Sequence, residues 1–434
     1  MAGAATARAG ARREGTGSAG KRARSAARRV PPPLEHRILM TATLCLLAFG
    51  AVMVYSASSP QGVLSRGGSG AAVFIRYLVF GVAGLIAMHV IARRGLEIFT
   101  PRLVNAMLLG SFVLLLLVLV PGFGVVAGGA RRWFAAGPIQ FQPSEVMKLA
   151  LVLYAARYLA DNPKRMRSFG RAVAPIAIAA GPACLLIVVE PDLGTTLVVA
   201  FTMAALLVAA GMPMRYVAAL AGIVAVCVIL LATAQPYQRA RLTSFLHPWA
   251  AGTKSTASYQ AVQGQIALGS GGLFGVGLGR SVQKIYYLPE AQTDFILAVI
   301  GEELGVLGIF GVVCLYGMVA YAGLRTARRA ADRYAKLLAT GLTSLILCQG
   351  LLNIFVVLGL APLTGVPLPF ISYAPTNLCV LLAGVGLLLN IARPGTRLQV
   401  VRNSGVDSAA DRDRRRRDRR ARRSGTGGGR RAAG

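Results

Sequence analysis

The chain has 434 residues, 55% of them hydrophobic and 15% charged, with a mean hydropathy of +0.59. That balance excludes a soluble globular domain and leaves an integral membrane protein. The formal net charge of +31 raises nucleic-acid binding. However, 17 of those charges fall in residues 1–37 and 393–434, and no aromatic residue interleaves the C-terminal Arg run, so nucleic acid is not an expected partner.

Residues 1–37 read as a disordered basic arm and residues 394–434 as a second, Arg-rich one, both resting on anionic membrane lipids. The first apolar run is long and follows the 37-residue arm, so it reads as a retained span rather than a cleaved signal. Between the arms lies one membrane domain, 38–393, with ten runs long enough to span as helices. They are 38–57, 73–92, 103–121, 144–160, 172–189, 193–210, 216–234, 295–322, 337–361 and 376–392. The fourth is the weakest, being short and carrying Lys148 and Arg157. Continuous apolar runs rather than alternating ten-residue segments exclude an outer-membrane barrel. The expected fold is therefore all-α and polytopic, with a long extracytoplasmic loop, 235–293, between helices 7 and 8. Arg93, Arg94, Arg102, Lys164, Arg165, Arg167, Arg171, Arg215, Arg325, Arg328, Arg329, Arg333 and Lys336 occupy one set of short loops. The positive-inside rule places those loops and both termini in the cytoplasm.

Six cysteines fall inside spans with no metal-ligand spacing, and read as small buried apolar residues. His36, His89 and His247 form no cluster, so a metal site built on His and Cys is not expected. The chemistry is left to carboxylates and cations in the outer connections.

In chain order, Gly129-Ala-Arg-Arg-Trp133 and Phe141-Gln-Pro-Ser-Glu-Val-Met-Lys148 lead into the fourth span. Pro143 breaks the backbone and Ser144 is placed to cap the helix. Glu145 and Lys148, three apart, face one another, as an intrahelical ion pair or as a site. Trp133 is an interfacial anchor or a substrate contact. The tight turn Glu190-Pro-Asp192 carries two acids, with Asp192 able to cap the next helix. Arg239 and Arg241 open the long loop, where planar forks suit a phosphate or merely meet headgroups. Tyr259 to Leu268 is an amphipathic stretch expected in the interface, followed by the glycine-rich 269–279, which lacks the ending of a nucleotide-binding loop. Tyr287-Leu-Pro-Glu-Ala-Gln-Thr-Asp-Phe295 sets Glu290 and Asp294 immediately before an apolar span. Asp294 is there a helix cap, an ion-pair partner or a catalytic carboxylate. Glu302 and Glu303 follow within that span, where an acid must pair or face a polar cavity. Gly365-Val-Pro-Leu-Pro-Phe370 implies irregular backbone lining a cavity.

These motifs occur together and in order in a known family. Gly129 to Lys148, Glu190-Pro-Asp-Leu-Gly-Thr-Thr196, Arg239 to Pro248, Ser281 to Phe295 with Gly301-Glu-Glu-Leu-Gly305, and Gly365 to Tyr373 resemble the SEDS family (shape, elongation, division and sporulation) over roughly 38–393. Ser281-Val-Gln-Lys284 followed by Leu288-Pro-Glu-Ala291 resembles its division branch more than its elongation branch. The resemblance implies a peptidoglycan glycosyltransferase that polymerises lipid II outside the bacterial plasma membrane, beside a class B penicillin-binding protein transpeptidase and other division proteins. The family's essential aspartate matches Asp294. Lys148, Arg239 and Arg241 are the candidate pyrophosphate ligands, with a divalent cation such as Mg2+ or Mn2+ left open as a cofactor. Trp133, Gln142, Ser144, Glu145 and Glu290 complete the candidate substrate-binding set.

Three positions depart from the family pattern. Gln292 stands for a usual histidine, Ala374-Pro-Thr-Asn377 for a Gly-Gly-Ser-Ser-like run, and 251–257 lacks a usual Asp-Pro. Lipid II already carries an anionic leaving group, so a base and a cation cluster suffice for one inverting displacement. Two other classes remain: a transporter that flips lipid II, and a catalytically idle scaffold of the cell-wall machinery.

Overall fold

The computed structural model describes residues 33–64, 71–127, 130–136, 139–163, 169–234, 236–249, 256–285 and 287–393. Residues 1–32 and 394–434 of the two basic tails, Lys254 and all but the last two residues of the 251–257 departure lie outside them, whereas 34–37, expected in the disordered arm, begin the first helix. The elements in chain order are α1 (Leu34–Leu64), α2 (Ala71–Arg94), a short 3-10 turn, α3 (Pro101–Leu119), β1 (Val125–Ala127), β2 (Ala130–Ala136) and β3 (Ile139–Phe141). They continue as α4 (Pro143–Asp161), α5 (Phe169–Val189), α6 (Leu193–Ala209), α7 (Met214–Ala234), α8 (Pro236–Leu246), α9 (Thr256–Gly271), α10 (Ile296–Arg329), α11 (Arg333–Val357) and α12 (Pro375–Ile391).

Each of the ten expected spans coincides with one of these helices, and α8 and α9 stand between the seventh and eighth. By length and apolarity, α1, α2, α3, α10 and α11 can cross a membrane outright, while α5, α6, α7 and α12 hold shorter apolar segments. The chain is thus a polytopic helical membrane protein.

Helix α4 looks weak as a span because it does not face lipid. Thirteen of its residues are buried, and it packs among α3, α6 and α11. A central helix needs no continuous apolar surface, so polar side chains there can pair with neighbours instead. Around the periphery, Val79, Val82 and Ile86 of α2, Leu109, Val113 and Leu116 of α3, and Ile223, Val226 and Ile229 of α7 are exposed. In a bilayer these apolar faces meet acyl chains.

Four differences from the sequence reading have physical causes. Span 295–322 is not one helix, because Gly305 takes φ 67°, ψ −162° and breaks α10, a conformation open to glycine. The connection through Trp133 forms a small antiparallel sheet in the order β1-β2-β3, pairing Trp133 with Val125 and Phe134 with Phe141. Ser144 does not cap α4. Gln142 holds that position with Pro143 in the first turn, where a missing N–H costs nothing, and the buried Ser144 hydroxyl has no partner. The cysteines are not buried in protein: Cys45, Cys227 and Cys314 are exposed and Cys184, Cys348 and Cys379 half-buried, so lipid rather than packing covers the first three.

Candidate functional site

The segment 358–374 between α11 and α12 is irregular yet buried, with Val366, Leu368, Phe370 and Ile371 almost inaccessible. Its backbone must therefore be satisfied from neighbouring elements. Tyr316 of α10 donates to the Pro369 carbonyl at 2.5 Å and Tyr77 of α2 to that of Phe370 at 2.6 Å. Gln349 and Asn353, one turn apart on α11, donate to Pro367 at 3.0 Å and Val366 at 2.8 Å. This rigid irregular floor supports the site.

Asp294 lies on it, half-buried at the start of the α10 half-helix. The Asn353 amide also donates to its backbone carbonyl at 2.7 Å. The carboxylate is not the helix cap, because Phe295 occupies the cap position without a side-chain bond. Instead Asp294 Oδ1 lies 2.9 Å from the Thr293 hydroxyl, which lies equally close to Glu290 Oε2. Burial, then the neighbouring Glu290 charge, raise the Asp294 pKa from 3.8 to about 6, with Thr293 and Arg241 opposing. A carboxylate so tuned can accept a proton near neutral pH.

Arg241 is the cation that meets it. A Cβ built on Gly365 would stand 3.6 Å from Asp294 Oδ2 and 3.9 Å from both terminal Arg241 nitrogens, so the two charged groups converge over that glycine. Gly365 has φ +72° and leaves open the space a side chain would fill. Arg241 Nη1 also donates to the Leu363 carbonyl at 3.2 Å, which anchors α8 to the floor. Arg239, two residues earlier on α8, is exposed and points to another face of the helix.

Lys148 joins the same floor from below. Its ammonium lies 2.9 Å from Glu145 Oε2, both side chains being almost fully buried, and donates to Gln349 Oε1 at 2.9 Å. Thus α11 carries the Lys148 partner and the Asp294 partner at i and i+4, on one helical face. The intrahelical pair expected from sequence is present, and a bridging residue extends it toward the carboxylate.

A third group surrounds the 190–192 turn. Asp192 caps α6, accepting from the Thr195 amide at 3.0 Å, and also accepts from Gln142 Nε2 at 3.3 Å. Arg132 of β2 donates to the Glu190 carbonyl at 2.8 Å and to that of Pro191, and Gln238 of α8 donates to Pro191 at 2.7 Å. Glu190 is wholly buried, and burial, then Asp192, raise its pKa to about 9 against the opposing Arg132 charge. Trp133, next to Arg132 on β2, is half-buried.

Arg132, Gln349 and Asn353 are the residues that sequence reasoning passed over. A signal existed for two of them, since an amide side chain inside an apolar span marks a structural or functional contact. Glu290 is exposed at φ +55°. Of the sequence departures, Gln292 accepts through its backbone carbonyl from the amide of Tyr373 at 3.0 Å, the residue just before the 374–377 run. Among the described residues no group of three or more His, Cys, Asp or Glu side chains could hold a metal ion. Glu290 and Asp294, sharing Thr293, do fit a cation such as Mg2+, which needs one or two protein carboxylates when substrate phosphates supply other ligands.

Comparison with known proteins bears on this arrangement. The FtsW/RodA/SpoVE family model, described as cell cycle protein, matches residues 37–396. The chain is 40% identical to stage V sporulation protein E of Bacillus subtilis over 359 residues, covering 82% of this chain and 96% of that one. It is 36% identical to a probable peptidoglycan glycosyltransferase FtsW of Geobacter sp. strain M18, covering 82% and 95%. Among solved structures, RodA of Thermus thermophilus superposes with a TM-score of 0.60 at 27% identity, covering 84% and 97%. A chain from a study of a peptidoglycan synthase complex that coordinates polymerisation and crosslinking gives 0.65 at 28%, covering 84% and 98%. Fold, motifs and relatives agree over all but the tails: the chain belongs to the FtsW/RodA/SpoVE family of cell cycle proteins, the SEDS family.

Proposed function

We propose that this protein is a peptidoglycan glycosyltransferase that polymerises lipid II at the outer face of the bacterial plasma membrane, in division or a related septal or sporulation process. Relatives at 36–40% identity carry that activity in their names. The observation that carries the reading is the convergence of the Asp294 carboxylate and the Arg241 guanidinium over the open backbone of Gly365.

Transfer requires a proton acceptor at the attacking sugar hydroxyl and neutralisation of the departing pyrophosphate. Asp294, with its pKa raised to about 6, is ionised at neutral pH and basic enough to take that proton in the transition state. Arg241 offers two fixed donors to phosphate oxygens. Lys148 is already engaged by Glu145 and Gln349, so its contribution is to the floor and the local field. A divalent ion held chiefly by Glu290 and substrate phosphates would supply additional neutralisation and leave Asp294 to accept the proton. Displacement at the anomeric carbon in one step inverts its configuration and forms no covalent enzyme intermediate. Of the other candidates, Glu145 and Gln142 are buried beneath the site, paired with Lys148 and Asp192, whereas Trp133 on β2 and Arg239 on the outer face of α8 are left to meet substrate or lipid headgroups. The partner expected is a class B penicillin-binding protein, which would cross-link the strand as it emerges, with both termini of this chain in the cytoplasm.

Purified full-length protein given labelled lipid II, with and without such a partner, tests the reading. Polymer formation supports transfer. Leaflet exchange without polymer identifies a flippase, and binding with neither identifies a scaffold.

A further inference from the structure

Away from the Asp294 carboxylate, buried charge concentrates where α1, residues 280–285 and the first part of α10 meet. Lys284, 1% exposed, donates to Glu303 Oε1 at 2.7 Å and to the Ser56 hydroxyl of α1 at 2.9 Å. The Ser56 hydroxyl in turn lies 2.7 and 2.9 Å from the two Glu303 oxygens. Its neighbour Glu302, also buried, accepts from the Ser281 hydroxyl at 2.5 Å and from the Val282 and Gln283 amides at 2.9 and 3.4 Å. Stability does not explain this cluster, because well-packed apolar residues in place of a buried ion pair are often neutral or stabilising.

What the cluster fixes is the piece of chain that carries Asp294. The break at Gly305 separates residues 296–304 from the rest of α10, so the long span cannot by itself hold that half-helix in place. The glycine-rich segment is laid along the break instead. The Val276 and Gly277 amides donate to the Glu302 and Glu303 carbonyls at 2.9 and 3.0 Å, and the Val306 amide to Gly272 at 3.0 Å. Close approach demands glycine here: a Cβ on Gly271 would fall 1.9 Å from the Gly301 oxygen, and one on Gly275 2.2 Å from the Glu303 oxygen. Between Lys284 and Asp294 the chain passes through Glu290 at φ +55°, a strained conformation that persists only when both ends are held. Asn353 holds one end, and Lys284 holds the other.

We propose that Lys284, with Glu303 and Ser56, is a positioning residue that sets the Asp294 carboxylate against Arg241 from the far side of the half-helix. The proposal rests on the glycosyltransferase reading for its kinetic consequence, but not for its structural one. Displacement by about 1 Å of a reacting group costs on the order of a hundredfold in rate, whereas groups that only bind substrate are left in place.

The test uses full-length protein in nanodiscs as wild type, Lys284→Met/Glu303→Gln, and Ser56→Ala. The double variant removes both charges together, and Gln retains an acceptor for Ser56. Hydrogen exchange of residues 284–295 is measured with thermal unfolding, and polymerisation of lipid II is resolved into kcat and KM. In the double variant we expect unchanged melting, faster exchange confined to 284–295, kcat down about a hundredfold and KM within threefold. Ser56→Ala leaves the ion pair in place and is expected to show the same pattern at about tenfold; it decides the matter if the double variant does not fold. Unchanged exchange in the folded variants, or retained kcat with loosened exchange, overturns the positioning role. Loosened exchange in a protein whose wild type binds lipid II without polymerising it supports the positioning geometry and sinks the transferase reading.

Discussion

Asp294→Asn separates a tuned base from a structural carboxylate, because the two roles predict opposite changes in stability. Burial and Glu290 raise the folded pKa from 3.8 to about 6. Between those values the folded chain binds the proton that the unfolded chain has released, so stability falls as pH rises through roughly 4 to 6 and stays reduced above it. A tenfold change in an acid dissociation constant corresponds to about 1.4 kcal/mol. With some screening at a half-buried carboxylate, the ionised group costs the fold about 1–3 kcal/mol at pH 7. Asn is isosteric and uncharged, and no cap is lost, since Phe295 holds the cap position. The variant is therefore expected to melt a few degrees higher than wild type at pH 7.5, with the difference vanishing near pH 4. Polymerisation should fall at least about a hundredfold, as for loss of a general base, with lipid II still bound. Melting curves at both pH values and a gel assay of polymer on the same preparation check it. A variant that melts lower at pH 7.5, or that polymerises at more than a tenth of the wild-type rate, refutes the reasoning.

Four further outcomes are expected. The wild-type kcat/KM should fall tenfold per pH unit below about pH 6, because Asp294 must be ionised; a profile flat to pH 4.5, measured over a range where melting is constant, contradicts this. Arg241→Lys should lose polymerisation substantially, since a point charge cannot bond Leu363 and a phosphate as the fork does, and Arg239→Lys should lose far less; equal activity of the two variants returns Arg241 to a headgroup role. Lys148→Met should destabilise by about 3–5 kcal/mol by stranding the buried Glu145, and Lys148→Met/Glu145→Gln should regain most of it, as read from thermal melts in detergent. A reporter placed near Lys254 should read outside and one after Arg397 inside; labelling of a cysteine at 254 from the cytoplasmic side alone would reverse both the topology and the location of the site.

The spans were legible because a helix facing acyl chains must be apolar along its whole length, a demand written residue by residue into the chain. The least legible span, α4, is the one with no such face, its surface being occupied by α3, α6 and α11. Hydropathy sees composition and not φ, so the run 295–322 read as one helix although Gly305 divides it. The same blindness hid the sheet at 125–141, whose three strands are short and pair only locally. Residue type makes Ser144 a cap candidate, but Pro143 in the first turn fixes Gln142 at the boundary.

The site divides along a similar line. Asp294, Glu290, Arg241 and the Glu145–Lys148 pair were visible because acids are few in this chain, 16 of 434 residues, and each of these groups sits where a span begins or a loop opens. Their supports were not, since Ser56 and Glu303 are 247 residues apart and Arg132 reaches Glu190 across 58. No periodicity links such positions; only the packing of α1 on α10, and of β2 on the 190–192 turn, brings them together. Gln349 and Asn353 lie between the two cases. Their amides are conspicuous in an apolar helix, yet what they hold, an irregular floor at 366–367 and the backbone of Asp294, belongs to other elements. A carboxylate that must stay ionised beside an arginine, in a place that raises its pKa, needs such external restraint: left to itself it would turn toward water or take up a proton. The burial that makes Asp294 a competent base is thus the reason its neighbours must hold it, and the residues doing so are those a single sequence cannot pair.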